Sequence, residues 1–403
     1  MSTARVHGIA AGGDGVARLE TGMTVFIPRT AVGDIVDVDL IEMRKRFARG
    51  IATRILEPAP ERVAPVCPHY EGDACGGCQL QHVAPGAQRA AKARIVGDAL
   101  RRLARREVTD PDITPAPSEW RYRRAVTLHV VDDRIGYHRF DQPGRVFDLI
   151  DCHIARASLM ALWPLVSAAR TLLPTGAATV ALREDRGGGL HVAVGGGTAW
   201  DARPFATALP QGVSVWWAPE GGAPRVVAGP ATGYPALAFA QSHPELAQQI
   251  RVAAVEGLAL RTGSTIWDLY GGVGDTARLM AAAGATVVSV DADRAAIEWA
   301  RKQPGTGITY VGDRVEEAVS RLPSPDHIVL NPPRAGAHAR VTAALERWAQ
   351  GNAGGRVAYI SCDPATLSRD LARLPTLRLL SVRAFDQFPQ TAHVETLTLL
   401  EAA

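Results

Sequence analysis

Residues 265–291 read TIWDLYGGVGDTARLMAAAGATVVSVD. The stretch opens on a short apolar run, TIWDLY, of strand length. Glycines break it at Gly271-Gly272-Val273-Gly274. A helical segment, DTARLMAAAG, leads to a second β-branched run, TVVSVD, ending at Asp291. Strand, glycine turn, helix and strand make a βαβ unit, whose strands run parallel. The alternation continues outward. ITYVGD, HIVLNPP and RVAYISC are further strands, and DRAAIEWARK, RVEEAVSRL and ARVTAALERWAQ are helices between them. The reading is an α/β domain over 236–403 with a parallel, doubly wound sheet. Its tail, LRLLSVRAFDQFPQTAHVETLTLLEAA (377–403), holds two strands without a helix between them, which predicts a terminal antiparallel hairpin.

The N-terminal side has another texture. Residues 1–60 alternate apolar and polar (MTVFIPRT, DIVDVDLIEM, ARGIATRILE), with turns at Gly12-Gly13, Asp14-Gly15 and Val32-Gly33-Asp34. Short strands with tight turns predict a small β-barrel. The Pro-rich PAPERVAPVCP closes it, and a cysteine-rich knot runs from Cys67 to His82. Residues 88–106 read as a basic helix with Ile95, Val96, Ala99, Leu100 and Leu103 on one face. From Trp120 to Trp217 strands return, interrupted by one helix near 155–173. Residues 61–235 therefore read as a central, mostly β region.

The chain has 403 residues, of which 47% are hydrophobic, enough for two or three cored domains. No apolar run reaches membrane-span length, and MSTARVHGIAAGGDG lacks an apolar signal core, so the expectation is a cytoplasmic protein. The net charge of +3 says little, but Arg89–Arg124 carries ten Lys/Arg against five Asp/Glu, and Arg44-Lys45-Arg46 forms a second cluster. Such clusters fit a phosphate backbone, and they equally fit solvated helix faces.

Ligands of open α/β sheets sit beyond the carboxyl ends of the strands. Gly271 and Gly274 let the backbone approach a ligand, and Asp291, closing strand two, can hold ribose hydroxyls. GGVG is not G-x-G-x-x-G, so a nucleoside smaller than a dinucleotide is favoured. Asp268-x-x-x-Gly-x-Gly with a strand-two acid resembles the S-adenosylmethionine sites of Rossmann-like methyltransferases. That resemblance places Asp313, after strand three, near the adenine. Strand four ends in Asn331-Pro332-Pro333-Arg334, whose prolines force a rigid loop over the strand end.

The five cysteines are Cys67, Cys75, Cys78, Cys152 and Cys362. The first three are spaced C-x7-C-x2-C. With Cys152 they suggest a metal centre rather than disulfides. Zinc, with His69 or His82 as further ligands, and an iron–sulfur cluster fit this spacing equally. Cys362 is left at the end of strand five, beside the donor site. A thiolate adding to C6 of a pyrimidine makes C5 nucleophilic enough to take a methyl group, and a base must then remove the C5 proton. Glu395, heading the last strand in His393-Val394-Glu395-Thr396-Leu397, can return to the same rim.

With YISCDPATLSRD and HVETL in one chain, the sequence resembles the uracil-C5 RNA methyltransferases over nearly its whole length. The resemblance implies Cys362 as nucleophile and Glu395 as base. It implies an OB-like TRAM barrel at the N-terminus. It implies a [4Fe–4S] cluster on Cys67, Cys75, Cys78 and Cys152, in a central iron–sulfur region where WRYRRAVTLHV meets RNA. Phe239-Ala240-Gln241 matches the family's F-x-Q motif, so Gln241 is expected on the methyl donor. Asp268, Tyr270, Gly271, Gly274, Asp291, Asp313 and Asn331 complete the expected S-adenosylmethionine set. The expected partner is RNA, ribosomal before transfer RNA, with no DNA, no membrane and a monomer as the default. The chain departs from the family pattern at Asn331, usually Asp; at Ser242-His243, usually x-N; and in the longer first cysteine spacing. Cytosine-C5 methylation is disfavoured by HVETL. The non-enzymatic rival is an RNA-binding or redox-sensing protein that kept the fold, and Asn331 is its support.

Overall fold

The computed structural model describes residues 2–231, 233–238 and 241–403. Two compact units are present: 1–62 with 83–117 and 238–403, and 63–82 with 118–237.

In the first unit, β1 (Ser2–Ile9), β2 (Gly15–Arg18), β3 (Thr24–Ile27), β4 (Ile35–Met43) and β5 (Phe47–Glu57) close a barrel in the order β1-β2-β3-β5-β4. Val6, Val25, Ile27, Val36 and Val38 point inward, as the period-two pattern requires.

The second unit begins with one helical turn, α1 (Pro68–Glu71), in the cysteine-rich segment. Helix α2 (Pro85–Arg102) and the short strand β6 (Ile113–Thr114) then return to the first unit. This corrects the expectation of one continuous central region over 61–235. The physical reason is that α2 buries Val96 and Leu100 in the core of the doubly wound sheet. Part of the charge of the basic stretch is also committed to partners within the chain. Lys92 is buried against Asp386, Arg101 is bonded to Asp98 and Asp110, and Arg121 to Asp151.

The rest of the second unit is a six-stranded sheet of β7 (Ala125–Val131), β8 (Arg134–Gly136), β9 (Ala177–Glu184), β10 (Leu190–Gly196), β11 (Ser214–Ala218) and β12 (Arg225–Ala228). Helices α3 (Ala157–Ala168) and α4 (Arg203–Thr207) accompany it. Leu159, Leu162, Trp163 and Phe205 pack with Leu128, Leu182 and Val192 in its core.

The C-terminal region supplies α5 (Pro244–Gly257), β13 (Thr265–Leu269), α6 (Asp275–Ala282), β14 (Thr286–Val290), α7 (Arg294–Arg301), β15 (Ile308–Val311), α8 (Val315–Ala318), β16 (His327–Leu330), α9 (Ala339–Ala349), β17 (Arg356–Ser361), α10 (Pro364–Leu371), β18 (Leu377–Phe385) and β19 (Glu395–Ala402). The sheet order is β15-β14-β13-β16-β17-β19-β18-β6. β13 to β17 are parallel, and β19 runs antiparallel to both neighbours. The hairpin expected at the edge therefore inserts its second strand beside β17, and β6 covers β18. Strand order reverses at β13 and β16, which opens a crevice at their carboxyl ends. Both faces of the sheet are buried, as parallel sheets require: Trp267, Leu269, Ile328 and Tyr359 face one core, and Ile266, Val287, Val329 and Ile360 the other.

Candidate active site

β17 ends at Ser361, and Cys362 is the next residue. Asp363 caps the helix that follows, accepting from the Thr366 backbone N–H at 2.8 Å, and Pro364 fills the first helical position. The thiol is thereby fixed at a strand-to-helix corner on the rim of the crevice. Because β19 is antiparallel to β17 and pairs Thr396 with Ser361, Glu395 falls opposite Cys362. Thr396 Oγ1 donates to the Ser361 carbonyl at 2.9 Å and pins that register.

Two side chains meet the pair, Arg334 and Gln241. Burial pushes the Cys362 thiol up to about 11, the Glu395 charge adds to this, and the Arg334 guanidinium, hydrogen-bonded to the thiol, opposes it. Burial pushes Glu395 up to about 8, against a hydrogen bond from Gln241 and the charge of Arg334. Glu395 is 1% exposed. Its Oε2, and Oε1 of Gln241, are buried without a hydrogen-bond partner among the described residues. Unsatisfied buried oxygens are costly, and a ligand that donates to them relieves the cost. Gln241, expected on the methyl donor, here hydrogen-bonds to Glu395. Phe239 and Ala240 of the same motif lie outside the described residues.

Arg334 was legible only as the end of Asn331-Pro332-Pro333-Arg334. No spacing rule links it to residue 362; the fold does. Arg369 Nη2 donates to the Ala335 carbonyl at 2.6 Å, and buried Asp370 accepts from the Ala337 N–H at 2.7 Å and from Tyr359 Oη at 2.8 Å. Helix α10 thus holds both the thiol and the loop that carries its cation.

The expected donor residues line the neighbouring strand ends. The Gly272 N–H donates to Asp291 at 2.8 Å, and so does the Asp293 N–H. Gly271 has no room for a side chain: a Cβ would lie 2.3 Å from Ser289 Oγ and 2.4 Å from Asp268 Oδ2. Gly274 turns with φ +76°, and a Cβ there would meet the Tyr310 ring at 2.7 Å. Asp268 sits beneath this turn, accepts from Ser289 Oγ at 2.9 Å and is pushed by burial up to about 7. Tyr270 adopts φ 62° and takes a hydrogen bond from the His338 backbone. Asp313 is ion-paired with Arg321, and its carboxylate also accepts from the Arg314 N–H at 2.9 Å. Asn331 follows β16, between the glycine turn after β13 and Cys362 after β17, with its N–H on the Leu269 carbonyl at 3.1 Å.

In the second unit, Cys67, Cys75, Cys78 and Cys152 line one cavity of about 50 Å³ with Arg123 and Tyr137. Burial raises Cys67 and pushes Cys78 up to about 12. His69 also lines this cavity, but Nδ1 is 2.6 Å from Asp73 and Nε2 accepts from the Ile150 N–H at 3.1 Å, which leaves neither nitrogen for a metal. Among the described residues, no group of three or more His, Cys, Asp or Glu converges to hold a single metal ion.

Comparison with known proteins agrees with this architecture. A TRAM domain matches residues 3–53, and a tRNA (uracil-5-)-methyltransferase domain matches 320–403. The 23S rRNA (uracil(1939)-C(5))-methyltransferase RlmD of Azoarcus sp. is 30% identical over the full length of both chains. An uncharacterized RNA methyltransferase of Streptomyces coelicolor is 31% identical, over 98% of this chain and 91% of that one. A tRNA (uracil-54, C5)-methyltransferase of Pyrococcus abyssi, solved with S-adenosyl-L-homocysteine, shares the fold over 98% of this chain and 99% of its own, with a TM-score of 0.73 and 21% identity. A barrel of TRAM type, a doubly wound sheet with a cysteine facing a glutamate at its rim, and full-length identity to these relatives together mean that the chain belongs to the S-adenosylmethionine-dependent RNA uracil-C5-methyltransferases.

Proposed function

We propose that the chain methylates C5 of a uridine in ribosomal RNA, with Cys362 as nucleophile and Glu395 as general base. The observation that carries this reading is the β17–β19 register, which sets a buried carboxyl opposite the thiol, with Arg334 beside both. Relatives named for 23S rRNA support the choice of RNA.

The residues divide the work as follows. Arg334 stabilises the Cys362 thiolate, which adds to C6 of a flipped uracil. The electron pair released onto C5 takes the methyl group, and the donor departs as its neutral thioether. Glu395, as carboxylate, removes the C5 proton; the C5–C6 double bond re-forms and the Cys362 sulfur leaves. An acid poised near 8 suits that base. Gly271, Gly274 and Asp291 would hold the methyl donor, with Asp268 under the turn. The oxygens of Glu395 and Gln241 that lack partners offer acceptors to the substrate.

The four thiols around the small cavity would hold a [4Fe–4S] cluster. Thiolate ligands around a cluster stand farther apart than those around one ion, which suits cysteines that share a cavity without converging on a point. No step of the reaction transfers an electron, so the cluster would hold the second unit together. Iron and acid-labile sulfide after anaerobic reconstitution, lost in Cys152→Ser, test that assignment.

The catalytic reading is tested with RNA carrying 5-fluorouridine. Fluorine cannot leave as a proton, so addition of S-adenosylmethionine traps a denaturant-resistant protein–RNA band. Absence of the band, or its persistence in Cys362→Ala, refutes the reading. Sequencing the trapped RNA separates ribosomal from transfer RNA.

A further inference from the structure

Glu395 is delivered by a loop, residues 386–394, that is almost wholly buried. Such a loop needs internal partners for its backbone. Its partners come from α2, far away in sequence. Lys92, 0% exposed, donates through Nζ to Asp386 Oδ1 at 2.5 Å and to the Phe388 carbonyl at 3.0 Å. The same carbonyl accepts from Thr391 Oγ1 at 2.8 Å, and Thr391 Oγ1 accepts from the His393 N–H at 3.2 Å, two residues before Glu395. One turn earlier on α2, Gln88 takes the Gln390 N–H and donates to the Gln390 side chain, each at 3.0 Å. Gln390 has φ 68°, a strained conformation for a residue with a side chain, and one that persists only when its surroundings impose it. Asp386 is anchored from the other side, its N–H on the Thr114 carbonyl at 2.9 Å. Gln387 accepts from the His243 N–H at 3.0 Å and so ties in the segment whose Gln241 holds Glu395.

We propose that Lys92 is a positioning residue for proton abstraction: its buried ammonium, with Gln88, locks the 386–394 loop and thereby aims Glu395 at the C5 proton. An apolar pair would fill the space and stabilise the fold as well. The ammonium alone also fixes a carboxylate and a carbonyl in direction. This inference rests on Glu395 being the base.

The two steps of the reaction separate positioning from stability. Methyl transfer needs Cys362, and release of the methylated adduct needs Glu395. Lys92→Met leaves Asp386 buried and unpaired, so the Lys92→Met/Asp386→Leu double variant is made alongside it. Each is given pooled unmodified ribosomal and transfer RNA transcripts and S-adenosylmethionine labelled in the methyl group. The denaturant-resistant labelled adduct and free methylated RNA are counted. The expected result for the folded double variant is a first methyl transfer within about threefold of wild type. Release is expected to be slowed at least tenfold, with adduct accumulating. Transfer and release falling together, or neither changing, overturns the proposal. Glu395→Gln is the reference: it should accumulate the adduct strongly. If it does not, the base assignment has failed and the proposal with it. If it does and the double variant does not, only the role of Lys92 has failed.

Discussion

Cys362 and Glu395 are each placed where burial disfavours their charged forms, and the Glu395 charge raises the thiol further. The thiol, pushed up to about 11, is raised partly by the glutamate and relieved partly by Arg334. Glu395→Gln should therefore lower the pH at which Cys362 reacts with iodoacetamide, and Arg334→Met should raise it. Alkylation rates between pH 6 and 10 check both signs. Turnover should rise with pH through about 8, as Glu395 loses its proton, and that limb should vanish from the adduct-release step in Glu395→Gln. Cys362 and Glu395 were legible because their motifs are local and specific. Lys92 was read as one charge in a basic stretch, because a sequence does not show that an ammonium lies 2.5 Å from a carboxylate 294 positions away.

At the scale of elements, α10 and the loop 332–337 form one clamp. Asp370 →Asn keeps the shape but weakens the bonds to the Ala337 N–H and Tyr359 Oη, and Asp370→Ala leaves both buried donors unpaired. The alanine variant should lose about 2–4 kcal/mol of stability by urea denaturation. Its Cys362 alkylation should also fall, because Arg334 rides on the same loop. Gly336→Ala should act in the same direction: φ is +82°, and a Cβ would lie 2.5 Å from Asp370 Oδ2. On α2, Gln88, Lys92, Val96 and Leu100 are buried at intervals of four, with Ile95 and Gly97 beside them. The apolar pattern predicted Leu103 on the covered face, yet it is 53% exposed. The apolar pattern found Ile95, Val96 and Leu100, and hydrophobic periodicity could not find the polar members, Gln88 and Lys92.

For the whole molecule, Glu395 and Asp268 hold their protons above the usual carboxylate range, to about 8 and about 7, because the fold buries them. The unfolded chain releases those protons near pH 4. Between there and pH 8 these two carboxyls bind more protons in the native state than in the unfolded one, so their contribution to stability falls as pH rises. Urea unfolding at pH 5 and pH 8 should show this loss, and Glu395→Gln should be more stable than wild type at pH 8 with the difference shrinking at pH 5. The active site is thus stabilised poorly at the pH where it works. The order of strands and helices after residue 265 was determined by the sequence alone, because periodicity and glycine turns are local consequences of backbone geometry. So were the barrel and the motifs that single out Cys362 and Glu395, each carried by residues close together in the chain. Tertiary structure alone decided that β19 enters between β17 and β18, which sets Glu395 opposite Cys362. It also decided that α2 leaves the central region to brace the loop that carries Glu395. Those are choices between long-range pairings. They are settled by which buried donors, acceptors and apolar faces find partners, and no stretch of sequence shows that by itself.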